Sequence, residues 1–284
     1  SQAGGRRGPG MSCFQVAVLA SGSKGNATVM RCEAGMVLVD AGISCRRIVQ
    51  GMQKLGLRPE NLDGVFITHE HIDHVKGLET FTKKYPVPIY ASAGTWRGIK
   101  QTLPRIDLQL CNRHIFAPQT ELTLGGLQVR SFSTSHDALD PTGYSFRCKN
   151  HTFSYVTDTG YVSDIVKREL DGAEVLVIET NHDPILLKNG SYPPVLQKRI
   201  LGTRGHLANE TAGRLLTTMK VLPRQVFLAH LSQENNTPEL ALSTVQGIVT
   251  QQYPNAMIQF YVTSQDEVVK NREWEDYHEQ NIFE

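Results

Sequence analysis

Six short apolar runs in this chain each stop at an acid or a histidine, and that repetition limits what the chain can become. Met36-Val-Leu-Val stops at Asp40, Val65-Phe-Ile-Thr at His69, and Arg130-Ser-Phe-Ser-Thr-Ser at His136. Phe153-Ser-Tyr-Val-Thr stops at Asp158, Val175-Leu-Val-Ile at Glu179, and Val226-Phe-Leu-Ala at His230. A β-branched run is a rigid strand, and its carboxyl end is where open α/β sheets gather ligands. Six ends of shared chemistry imply one convergent polar site.

Further strands are expected at 14–19, 28–32, 88–91, 143–147 and 257–261. Helical patterns fall at 45–55, 75–84, 94–103, 162–170, 209–219 and 237–253. Thr237-Pro238-Glu239 is a strong helix start, with an N-cap, a first-turn proline and a first-turn acid. Strands and helices in such groups imply an α/β fold with sheets packed face to face and helices outside.

Composition narrows the class. Among 284 residues, 40% are hydrophobic and 20% charged, which separates the chain from disordered proteins. No apolar run approaches the roughly 18 residues of a membrane span, so no membrane partner is expected. Residues 1–10, SQAGGRRGPG, read as a tag or disordered tail, leaving 11–284 as a single domain. From residue 11 on, 27 basic residues face 28 acidic ones, which excludes a grossly basic nucleic-acid coat but not a local basic patch. The cysteines (Cys13, Cys32, Cys45, Cys111, Cys148) are scattered and never form a CxxC pair. That argues against a disulfide framework and a thiolate zinc site, and for the cytoplasm.

The densest segment is Thr68-His69-Glu70-His71-Ile72-Asp73-His74. His69 and His71 are two apart and can share one ion, while Asp73 and His74 can turn to a second. Nitrogen and oxygen donors without thiolate suit Zn²⁺, Mn²⁺ or Fe²⁺.

HxHxDH followed by a lone His, a lone Asp and a final His resembles the metallo-β-lactamase fold superfamily, over essentially all of residues 14–261. The resemblance implies an αββα sandwich of two mixed sheets and two divalent ions. One ion would take His69, His71 and His136; the other Asp73, His74 and His230; Asp158 would bridge them. Within the superfamily, Ala20-Ser-Gly-Ser-Lys-Gly-Asn26, Gly205-His-Leu-Ala-Asn209 and His230-Leu-Ser-Gln-Glu-Asn-Asn236 resemble the WalJ (YycJ) family. Ala208 departs from the serine usual there. Members are implied to be cytosolic nucleases with 5′→3′ exonuclease action on DNA, through a metal-bridging hydroxide.

Roles follow for individual residues. Asp73 is expected to orient the hydroxide as well as bind metal. Asp40 is expected to accept a hydrogen bond from a ligand histidine. Glu179 and His206 resemble the supporting acid–imidazole pair of tRNA 3′-processing nucleases, placing both among the catalytic candidates. His206 also precedes a helix whose amino end attracts anions. Asn26, His182, Arg199 and Arg204 are candidates for substrate contact, with Lys198, Arg46 and Arg47 as further basic residues. Tyr144 and Tyr192 are assigned to core packing over base stacking. Asp158 and His230 lie 72 residues apart, which leaves no room for a β-CASP insertion. A helical C-terminal domain of the glyoxalase II kind is not expected in 262–284. A small-molecule hydrolase (cyclic phosphodiester, lactone or thioester) is the alternative function, and a non-enzymatic scaffold a third. Homodimerisation is left open.

Overall fold

The computed structural model describes residues 12–275. The expected tail at 1–10 lies outside the described residues, as does 276–284. In chain order the elements are β1 (Gln15–Ala20), β2 (Ala27–Cys32), β3 (Gly35–Val39), α1 (Cys45–Lys54), β4 (Gly64–Phe66), α2 (Ile72–Val75), α3 (Leu78–Lys84), β5 (Ile89–Ala91), α4 (Ala93–Thr102), β6 (Arg113–Ile115), β7 (Glu121–Leu124), β8 (Leu127–Ser133) and β9 (Thr142–Cys148). They continue with β10 (His151–Val156), α5 (Asp164–Leu170), β11 (Val175–Glu179), α6 (Pro184–Asn189), α7 (Pro194–Leu201), α8 (Asn209–Thr218), β12 (Gln225–Ala229), α9 (Pro238–Gln252), β13 (Gln259–Val262) and β14 (Val269–Lys270).

Two seven-stranded sheets form, ordered β14-β1-β2-β3-β4-β5-β6 and β13-β12-β11-β10-β9-β8-β7. Each is half antiparallel and half parallel, the change falling at β3–β4 in the first sheet and at β10–β11 in the second. Strand alternation builds the layers. Val37, Val39, Phe66, Phe146, Val175, Val177 and Phe227 fill the space between the sheets. Their neighbours point outward. Leu38, Val65 and Ile67 meet Ile48, Phe81 and Trp96 on helices α1, α3 and α4. Leu176, Ile178, Val226 and Leu228 meet the helices α5, α8 and α9 through Leu170, Leu216 and Val245. The result is the expected αββα sandwich. Tyr144 is fully buried in it and donates from its hydroxyl to the Ile67 carbonyl across the sheets, at 2.6 Å.

Several elements depart from the sequence expectation. The helix expected over 75–84 starts later, at Leu78, after the short α2 ends at Val75; between them Gly77 packs against the Ile43 carbonyl, where a Cβ would collide. Helices α6 and α7 went unseen among their prolines and glycines, although Asp183 caps α6 by accepting from the Ile185 and Leu186 amides. Proline opens both helices, as first-turn prolines do. The stretch after β13, read as a polar remainder, adds β14 to the edge of β1 and buries Trp274.

Candidate metal centre

The strands deliver their polar residues to one end of the sandwich. Asp40 follows β3, His69 follows β4, His136 follows β8, Asp158 follows β10, Glu179 ends β11 and His230 follows β12. Asp40, Asp158 and His230 hold left-handed backbone, with φ of 62°, 51° and 57°. Non-glycine residues rarely adopt this conformation, and such strain persists where surrounding contacts over-determine it. Here it turns each side chain back over its strand end. Asp73 and His74 sit on the one-turn helix α2, close behind His71.

Two clusters converge. His69, His71 and His136 bring their ligand atoms within 4.8 Å of one another, and so do Asp73, His74 and His230. Asp158 touches both sets: its Oδ1 lies 3.7 Å from His136 Nε2 and 3.4 Å from His230 Nε2, and its Oδ2 lies 3.0 Å from His74 Nε2. The fit to cations is visible in what is left unpaired. His69 Nε2, Asp158 Oδ2 and His230 Nε2 are buried and complete no hydrogen bond, Asp158 Oδ2 having only its 3.0 Å ion-pair contact with His74. Buried polar atoms are normally satisfied. Three unsatisfied donor atoms in one N/O cluster match the needs of divalent ions.

Two of the imidazoles are held from behind, and the His230 backbone is pinned. His74 Nδ1 meets Asp40 Oδ2 at 2.6 Å, and Asp40 in turn accepts from the Thr68 amide and hydroxyl, both at 2.8 Å. This is the arrangement that fixes a ligand tautomer and leaves Nε2 for metal. His136 Nδ1 lies 3.1 Å from the Gly205 carbonyl. His230 is flanked by Asn181, whose amide donates to the His230 carbonyl at 2.9 Å, and its own amide donates to the Ser21 hydroxyl at 2.8 Å.

Without metal the cluster is electrostatically divided. Burial draws the His230 pKa down, but the nearby Asp158 and Asp73 carboxylates more than offset it, raising it to about 9. His74 is raised the same way by Asp73, Asp158 and Asp40. His69 and His136 are lowered by burial. Burial opposes ionisation of Asp73 and Asp158, yet the neighbouring imidazoles hold both below the usual carboxylate range.

A cavity of about 450 Å³ opens onto this cluster. His71, Asp73, His136, Asp158, His206 and His230 line its floor, and Tyr192, Leu196, Arg199, Ile200 and Arg204 its far wall. Arg199 and Arg204, expected from sequence to contact substrate, both line this cavity. Tyr192, assigned to the core from sequence, is half-buried on the cavity wall instead, because it lies in the connection between α6 and α7 that sequence reading left structureless. Arg46 and Arg47 lie on α1, outside this lining.

Three expectations need correction. Asn26 does not reach substrate: it is fully buried, and its carboxamide is spent on Gly22, accepting at 3.0 Å and donating at 2.8 Å, and on the Asp73 carbonyl at 3.2 Å. It positions the loop that carries Asp73. His182 is also buried, its Nδ1 3.1 Å from Asn181 Oδ1, and burial lowers its pKa to about 4. It has no face toward the cavity. Glu179 is completely buried and accepts from the Thr159 and Leu207 amides as well as meeting His206, so it sits behind that imidazole and does not line the cavity.

Sequence reading missed Thr68, Asn181 and Ser21 as supports. Thr68 immediately precedes the strand-end His69, and Asn181 follows the strand-end Glu179 by two residues, which is the signal that was there to use. Glu70, in the middle of the histidine motif, points away from the centre and accepts from the Leu139 amide at 2.8 Å, bracing the loop that carries His136.

An αββα sandwich with histidine and aspartate clusters at the strand ends is the arrangement of the metallo-β-lactamase fold. The family described as "Beta-lactamase superfamily domain" matches residues 36–231. The chain is 37% identical over 256 residues to exodeoxyribonuclease WalJ of Streptococcus pneumoniae, covering 89% of this chain and 95% of that one. It is 37% identical over 233 residues to exodeoxyribonuclease YycJ of Bacillus anthracis, covering 82% and 88%. The metallo-β-lactamase fold protein YhfI from Bacillus subtilis superposes with a TM-score of 0.68 at 17% identity, over 91% of this chain and 99% of that one, which speaks to fold alone. This chain belongs to the β-lactamase superfamily and, within it, to the family of the WalJ and YycJ proteins. Among the described residues, no helix is long and apolar enough to cross a membrane.

Proposed function

We propose that this chain, a metal-dependent phosphodiesterase of the nuclease kind, degrades DNA from a 5′ end in the cytoplasm. The observation that carries the reading is His206, held by Glu179 and lining the same cavity as five of the seven clustered ligands and the arginines of the far wall. The relatives' designation as exodeoxyribonucleases supports the substrate class, and the scattered cysteines, none in a CxxC pair, fit a reducing compartment.

Two divalent ions, Zn²⁺ or Mn²⁺, would be held by His69, His71, His136, Asp73, His74, His230 and the shared Asp158, and when bound would polarise a phosphoryl oxygen and activate water. Asp73 orients the attacking oxygen. Arg199 and Arg204 neutralise the phosphates beside the scissile one. His206, its Nδ1 held by Glu179, keeps a proton at Nε2 for the leaving oxygen. Tyr192, Leu196 and Ile200 offer an apolar face to a base.

The test is a metal-resolved assay on 5′- and 3′-labelled single and double strands. Label should leave a 5′-labelled duplex first, in Mn²⁺ or Zn²⁺, and Asp73→Asn should abolish it. Metal-loaded protein inert on every DNA end overturns the proposal. The bounded size of the cavity favours a second reading, hydrolysis of a small cyclic phosphodiester, lactone or thioester; turnover insensitive to salt would support it against a polyanion.

A further inference from the structure

The opposite end of the second sheet carries a group of ligand-type side chains that the hydrolytic centre does not use. His151 opens β10, and Glu174 immediately precedes β11. Cys13 lies just before β1, in the other sheet. His151 Nδ1 is 3.0 Å from Glu174 Oε2, Cys13 Sγ is 3.8 Å from the same oxygen, and the ligand atoms of all three lie within 4.8 Å of one another. Glu174 and Glu179 are five positions apart along β11, a rise of about 17 Å that sets this group at the far end of the strand from the hydrolytic centre.

We propose that Cys13, His151 and Glu174 form a separate binding site for a zinc-like divalent ion, joining the first sheet to the second. The three atoms are rigidly presented. The Glu174 amide donates to the Thr152 carbonyl, and its own carbonyl accepts from the Arg224 and Gln225 amides. The Ser12 amide before Cys13 donates to Glu273 Oε1 at 2.8 Å, and Phe14 after it is fully buried in the core. Glu174 is 9% exposed, and its two oxygens are divided: Oε1 faces the Arg224 guanidinium at 3.7 Å, and Oε2 faces His151 and Cys13. A thiolate, a carboxylate and a neutral imidazole balance a dication without residual charge. Mixed sulfur, nitrogen and oxygen donors select zinc-like ions over magnesium or calcium. The His151 side chain is 40% exposed, so a water can complete a tetrahedron from the solvent side. Binding releases the Cys13 proton to solvent.

The hydrolytic ligands are nitrogen and oxygen throughout, so a sulfur signature is diagnostic. The full-length protein is stripped of metal and titrated with Co²⁺ alone. A thiolate-to-cobalt charge-transfer band is expected in the near ultraviolet, absent in Cys13→Ser. With Zn²⁺, Cys13→Ser and His151→Gln should each retain one ion per chain fewer than the parent, with DNA cleavage unchanged. No thiolate band in the parent protein overturns the proposal, whatever the variants do. A band and a metal content that survive Cys13→Ser overturn it equally.

Discussion

Glu179 Oε2 lies 2.6 Å from His206 Nδ1, with the carboxylate wholly buried and the imidazole facing the cavity. Burial alone draws the His206 pKa down; the Glu179 charge and hydrogen bond, then Asp158, reverse this and leave it raised. The buried acid therefore keeps a proton on the exposed ring. His206→Ala should slow cleavage by about 10²- to 10⁴-fold, the range of a general acid, with a smaller effect on KM. Glu179→Gln should slow it less and lower the His206 pKa. An imidazole titration by NMR in the metal-free protein reads that shift, and an unchanged pKa would contradict the pairing.

Asp40 holds His74 from behind, and its own backbone is left-handed. Asparagine tolerates that conformation, so Asp40→Asn should fold while losing the carboxylate behind the imidazole. Loss of such a partner weakens metal affinity by about 10- to 100-fold. Competition with a chelator of known affinity measures this; affinity equal to the parent's would mean that Asp40 does no more than shape the turn.

The ion pairs of His230 and His74 with Asp73 and Asp158 set the pH behaviour of the metal-free protein. His230 is raised from 6.5 to about 9, so its contribution to stability is complete below about 6.5 and is lost as pH rises toward 9. The unfolding temperature of metal-free protein should fall across that window. Metal must displace the same protons, so its apparent affinity should rise with pH, and calorimetry in buffers of different ionisation enthalpy should detect proton release. A flat unfolding temperature from pH 6.5 to 9 would rule out this account of the imidazole charges.

Arg199 and Arg204 stand on the cavity wall, and Arg199 pairs with the exposed Asp137 at 3.3 Å. Exposed pairs of this kind contribute little, so both arginines are available to phosphate. Replacing either by Ala should raise KM for DNA and lower the steepness of the salt dependence by about 0.7–0.9 in the log–log slope. Substitutions that leave the slope intact would place the polyanion elsewhere.

Gly42 touches the backbone of α2: a Cβ there would collide with the Asp73 carbonyl. Gly42→Ala should cost about 1–3 kcal/mol of stability, as overpacking does. It should also weaken metal binding, because the displaced segment carries Asp73 and His74. Parent-like thermal unfolding and metal content would show that α2 gives way freely.

How much of this was readable beforehand follows from the range of the forces involved. The His69–His74 motif was legible because its residues meet through one turn of chain. The strand-end acids and histidines were legible because a strand's rigidity carries its last residue to a predictable edge. Depth was not legible. Asn26 and His182 are polar and lie beside site residues, yet both are sealed inside, because the loops folding over them come from distant parts of the chain. The roles of Tyr192 and Arg199 waited on α6 and α7, helices of six and eight residues too short to show a periodicity between their prolines.

The linear sequence by itself determined the donor chemistry, the alternation that splits each strand between two cores, and the end of the sandwich where the donors gather. Tertiary structure decided which polar groups face the cavity and which support it from behind. It also brought Cys13 to His151 and Glu174 from opposite sheets. The reason is physical: strand propensity and side-chain period act over a few residues, whereas burial and ion pairing are set by whatever the rest of the chain packs alongside.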